Sequence, residues 1–143
     1  MTHPAKALLL LLLPLAFACK KDEPAPAPPA AAPASTTPAV ASVNVGTSIG
    51  PDKRITSTGT TMGTRDTIYA SVATDGNGPA TLVARWTTED GTVVSTDSQR
   101  VNLAGPAVTE FHISRPRAWP AGRYRVEILL NGQTAGRSEF EIR

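Results

Sequence analysis

From about residue 42 onward, apolar and polar residues alternate in short runs, and each run is bounded by Gly, Pro, Asn or Asp. A period of two sends successive side chains to opposite faces of a strand, so the pattern argues for β-strands with one buried face. The runs are rich in β-branched and aromatic residues, which fit a pleated, half-buried surface. Residues 43–49, 66–74, 81–88, 92–97, 108–114, 123–130 and 134–142 are the predicted strands. There is no heptad, no helical period and no internal repeat. Seven short strands in roughly a hundred residues predict an all-β class, a seven-stranded antiparallel sandwich of two sheets.

The last two strands allow a sharper expectation. Tyr124, Val126, Ile128 and Leu130 share one face of the first, and Phe140 and Ile142 are the apolar residues near the end of the second. Both sets must face the core, which selects the register placing Tyr124 opposite Phe140 and Val126 opposite Ser138. On the outer face the same register sets Arg123 against Glu141, Arg125 against Glu139 and Glu127 against Arg137. Those opposite-charge pairs are independent of the apolar pattern that selects it. A two-residue Asn131-Gly132 turn is out of step with this register by one position, so either a three-residue loop or a bulge near Gly136 is predicted. Upstream, Glu89-Asp90-Gly91 reads as a three-residue hairpin loop with a left-handed glycine, pairing Trp86 with Val94.

Leu82, Ala84 and Trp86 then point inward on a middle strand, and Trp86 resembles the buried tryptophan of immunoglobulin-like sandwiches. Tyr124, preceded by Gly122 near the start of the next-to-last strand, is similar to the tyrosine corner of that fold. The resemblance implies an immunoglobulin-like architecture for residues 42–143. It is one of fold and carries no activity.

Ahead of the domain the pattern changes. His3 and Lys6 precede an apolar stretch from Ala7 to Ala18, which ends at Cys19, the only cysteine in the chain. About a dozen residues at a rise of ~1.5 Å cover ~18 Å, short of a ~30 Å hydrocarbon core, so a cleaved signal fits better than a spanning helix. Leu15-Ala16-Phe17-Ala18-Cys19 resembles the lipobox of bacterial lipoproteins. That resemblance implies a signal peptide over 1–18, a mature chain beginning at Cys19, and two or three acyl chains on that residue, enough for stable anchoring. A soluble secreted protein cut before Cys19 is the rival reading. Lys20 after the cysteine resembles lipoproteins sorted onward to the outer membrane. The segment 19–41 is then a disordered linker, with Pro24, Pro26, Pro28, Pro29, Pro33 and Pro38 spaced largely by alanine. Repeated proline favours extended polyproline II at ~3.1 Å per residue, a spacer of at most about 70 Å. A ligand for an SH3-like domain is the alternative.

Candidate chemistry is sparse. Gly46-Thr47-Ser48-Ile49-Gly50 matches the G-x-S-x-G pattern of hydrolase nucleophile elbows, making a serine hydrolase using Ser48 the alternative function. That elbow needs a strand on one side, a helix on the other, and an acid and histidine downstream. His112 is the only histidine beyond the leader, and it alternates outward. Cys19 and one histidine make no metal-ligand set, and Asp75-Gly76-Asn77-Gly78 reads as a turn before it reads as a calcium loop. No metal and no cofactor are expected. The remaining candidate surface is Arg115-Pro116-Arg117-Ala118-Trp119-Pro120. There Arg115 and Arg117 could meet phosphate or carboxylate while Trp119 lies on a sugar ring, or Trp119 could plug the end of the sandwich. A formal charge of +2 argues against nucleic acid as a partner. The expected role is a non-catalytic envelope lipoprotein. It meets the lipid bilayer through Cys19, and its domain binds or scaffolds an unidentified envelope protein or polymer.

Overall fold

A computed structural model describes residues 36–57 and 59–143. The leader, Cys19 and the Pro/Ala-rich run as far as residue 35 lie outside them. Eight strands follow in chain order: β1 Ala39–Gly46, β2 Thr61–Met62, β3 Ile68–Asp75, β4 Asn77–Thr88, β5 Val93–Ala104, β6 Ala107–Ile113, β7 Gly122–Leu130 and β8 Gln133–Ile142. They form two sheets, one in the order β1-β3-β6 and the other β2-β8-β7-β4-β5. All pairings are antiparallel except that of β2 with β8. The chain changes sheet at each step from β1 to β4 and again between β5, β6 and β7, which makes this an immunoglobulin-like sandwich.

The seven predicted strands are present, with three differences. The first begins at Ala39, inside the stretch read as linker, because Ala39, Val40 and Val43 share the β1–β3 ladder, and it ends at Gly46, three residues before the predicted end at residue 49. The fourth, β5, runs on to Ala104, well past the predicted end at residue 97, since Ser98 to Ala104 pair with the first half of β4. The eighth strand, β2, is only two residues long, too short for periodicity to reveal.

The core is what alternation demands. Ile68, Ala70 and Val72 from β3, with Phe111 and Ile113 from β6, face Leu82, Ala84 and Trp86 from β4, Val126 and Ile128 from β7, and Phe140 and Ile142 from β8. Burying each large aliphatic or aromatic side chain here stabilises the fold by about 1.5–3 kcal/mol. Trp86 is fully buried, with Phe140 edge-on at 6.1 Å. Its indole N–H meets no acceptor among the described residues, a cost of about 1–3 kcal/mol that packing must offset.

The final hairpin has the expected register. Tyr124 opposes Phe140, Val126 opposes Ser138, and the ladder slips by one residue between Ile128 and Leu129, beside Gly136. A two-residue turn at Asn131 (φ 50°) and Gly132 (φ 85°) closes it, the paired left-handed conformation that matches strand twist. Only one of the three outward pairs closes as an ion pair, Arg125 with Glu139 at 3.0 Å. Because β7 has a neighbour on each side, Glu127 turns to its other cross-strand partner, Arg85 of β4, at 3.2 Å, and accepts from the Thr134 hydroxyl at 2.9 Å. Arg123 leans toward Glu89 at 3.8 Å, and Glu141 pairs with Arg143 at 2.9 Å.

The upstream hairpin corrects a detail. Gly91 is left-handed (φ 87°) and its N–H donates to Thr88 O at 2.9 Å, as the three-residue loop requires. Trp86, however, opposes Ser95, not Val94. Val93 opposes Thr87, so Val94 is an extra residue in a bulge that still tucks its side chain against the core.

Candidate functional site

At one end of the sandwich the segment between β6 and β7 is fixed by two aromatic residues. Tyr124, at the start of β7, donates its hydroxyl to Pro120 O at 2.8 Å, the back-bond of a tyrosine corner. Its burial pushes the phenol above its usual pKa, a rise that the nearby Arg115 charge partly offsets. Tyr124 stacks on Phe140 at 5.7 Å, and Trp119 stands edge-on to Tyr124 at 6.1 Å. A continuous aromatic column therefore runs from Trp86 in the core through Phe140 and Tyr124 to Trp119.

Trp119 is 3% exposed, so it is the plug and not a platform for a sugar ring. Its backbone N–H donates to Thr64 O at 2.7 Å and its indole N–H to Asp66 O at 3.0 Å. The Arg115 guanidinium covers the ring at 5.3 Å, within cation–π range. Of the three residues singled out in this loop, Arg115 and Arg117 remain on the surface and Trp119 is internal. Sequence reasoning missed Arg65. It is exposed between the two carbonyls that Trp119 holds, and it lines the same cleft as Arg115 and Arg117.

The other candidates are resolved by their surroundings. Ser48 is exposed just beyond β1, and its carbonyl accepts the Thr56 N–H at 3.1 Å. The chain then turns back through the Ile49–Ile55 bridge instead of entering a helix, so the strand–turn–helix setting of a nucleophile elbow does not surround Ser48. His112 lies on the outer face of β6, its Nδ1 3.1 Å from Glu110 Oε1 and its ring against Tyr69. Asp75 uses its carboxylate on the Gly76 N–H at 2.7 Å, and Gly76 (φ 113°) makes the turn from β3 to β4. Among the described residues no group of three His, Cys, Asp or Glu converges as a metal site would require.

No protein-family model matches the chain, and no curated protein matches it significantly. Among solved structures, it is similar to an immunoglobulin-like protein from Pseudomonas aeruginosa, at 15% identity over 77% of this chain and 99% of that one, with a TM-score of 0.49. It is also similar to part of the Pseudomonas fluorescens alkylpurine DNA glycosylase AlkC, whose structure holds DNA containing an abasic site analog, at 18% identity and a TM-score of 0.49. That match covers 76% of this chain and 31% of the glycosylase, so the chain spans under a third of that enzyme. The CARDB domain of a Pyrococcus furiosus protein, in complex with di-metal ions, is similar at 13% identity over 79% of this chain and 95% of that one, with a TM-score of 0.44. Likeness at this level concerns fold alone, and neither DNA nor metal binding transfers to this chain.

Proposed function

We propose that the chain is a lipid-anchored bacterial envelope protein, held at the outer membrane through Cys19, whose sandwich is a non-catalytic binding or scaffolding module. The observation that carries the anchor is Leu15-Ala16-Phe17-Ala18-Cys19 at the end of a short apolar leader, with the chain's only cysteine at the position a lipoprotein signal peptidase requires. The proline-rich segment after it is a spacer, which lifts the domain clear of the bilayer. The contact surface is the end of the sandwich carrying Arg115 and Arg117, where exposed guanidinium groups stand on a loop pinned to the core. The partner is an anionic envelope protein or polymer, and guanidinium supplies the bidentate donors that phosphate and carboxylate accept.

Two experiments test the two halves. Cells fed labelled palmitate should label the parent chain and not Cys19→Ser; equal labelling of both would remove the anchor from Cys19. Cross-linking of the full chain in intact envelopes should give a defined adduct that Arg115→Ala with Arg117→Ala abolishes. An unchanged adduct pattern in the double variant would move the contact away from this loop.

A further inference from the structure

Arg65, Arg115, Arg117, Pro116 and Ala118 line an open cleft of about 420 Å³ at the end of the sandwich. Its three cations come from two loops fifty residues apart in sequence, and no acidic side chain lines it. None of the three arginines makes an ion pair among the described residues. The adjacent carboxylate, Asp66, is already committed, its Oδ2 accepting the Gly63 N–H at 2.7 Å.

The convergence is held in place by Trp119. Its two hydrogen bonds grip the carbonyls of Thr64 and Asp66, one on each side of Arg65, and so fasten the Arg65 loop to the Arg115–Arg117 loop. The same ring carries the Arg115 guanidinium at 5.3 Å, which limits the rotamers that cation explores. The cleft is lined by cations and by no carboxylate, so an anion placed in it meets favourable charge from both loops. Planar, forked donors suit the tetrahedral oxygens of phosphate, and three of them match a group carrying more than one negative charge.

We infer that Arg65, Arg115 and Arg117 form a phosphoryl-binding site, with Trp119 as its positioning residue. The inference rests on the binding reading above and adds the third cation, the internal role of Trp119 and the chemical class of the ligand. It is independent of the lipid on Cys19, and the two fail in different experiments. The phosphoryl group can come from a soluble phosphorylated molecule or from a lipid headgroup.

The test uses the full chain and inorganic pyrophosphate as probe, followed by calorimetric titration at low salt. Saturable binding with one site is expected, weakened about tenfold or more by Arg65→Gln and further by Arg65→Gln with Arg117→Gln, while near-ultraviolet circular dichroism stays that of the parent. Arg137→Gln, which removes an exposed arginine outside the cleft, should leave affinity unchanged. No binding by the parent, or equal weakening by Arg65→Gln and Arg137→Gln, overturns the site. Vesicles of phosphatidylglycerol in phosphatidylcholine then identify the source. A parent-versus-Arg65→Gln difference with vesicles as well as pyrophosphate supports a headgroup, and a difference with pyrophosphate alone supports a soluble ligand.

Discussion

Trp119 and Tyr124 show how two side chains convert a loop into a rigid end of the molecule. The Tyr124 hydroxyl reaches only Pro120 O, so Tyr124→Phe removes one hydrogen bond and leaves the ring packing in place. A loss of about 1–2 kcal/mol is expected in urea unfolding at neutral pH. The phenol is also pH-sensitive in a known direction. Burial lifts its folded pKa above the ordinary tyrosine value of about 10, so its contribution is fully present below that pH and is lost as pH rises through the higher folded value. The parent should therefore lose stability above about pH 10 more steeply than Tyr124→Phe does. Trp119→Phe leaves the Asp66 carbonyl without its indole donor, at a further cost of about 1–3 kcal/mol readable by the same unfolding. The sequence allowed Trp119 to be either plug or sugar platform, because an aromatic beside prolines and arginines fits both. Its two hydrogen-bond acceptors lie more than fifty residues away in the chain, and that long-range contact also hid Arg65.

At the scale of elements, the β7–β8 hairpin was legible in detail because two unrelated patterns, apolar alternation and outward charge, demanded the same pairing. The one-position mismatch with the Asn131-Gly132 turn left a three-residue loop or a bulge near Gly136 open, and the chain takes the bulge. Strand pairing was readable where charge partnership was not. Each outward carboxylate on a middle strand can choose between neighbours, and Glu127 takes Arg85 over Arg137. The Val94 bulge was invisible because the Val93-Val94 doublet fits either face equally well. A Cβ on Gly136 would lie 2.8 Å from a Val43 methyl on β1, so Gly136→Ala should overpack the β1–β8 contact and cost about 1–3 kcal/mol. Thermal unfolding reads this directly, and a neutral Gly136→Ala would mean that β1 yields freely there. Arg125 and Glu139 are both well exposed, so a double-mutant cycle on that pair should return less than about 1 kcal/mol of coupling.

For the whole molecule, two sheets without a disulfide among the described residues rely on packing around Trp86. Domains of this size have only about 5–15 kcal/mol of net stability. Trp86→Ala, at roughly 3–5 kcal/mol, should remove a large share of that margin and move the urea midpoint of unfolding sharply down. The proposed architecture is an acylated cysteine, an extended spacer of at most about 70 Å and a sandwich whose arginine-bearing end offers itself to phosphorylated envelope material. Every part of that proposal beyond the domain depends on Cys19. The intact mass of the protein extracted from membranes tests it most directly. The mass expected is that of a chain that begins at Cys19 and carries a thioether-linked diacylglyceryl group. A chain with a free Cys19 thiol, or one cleaved elsewhere, would contradict it.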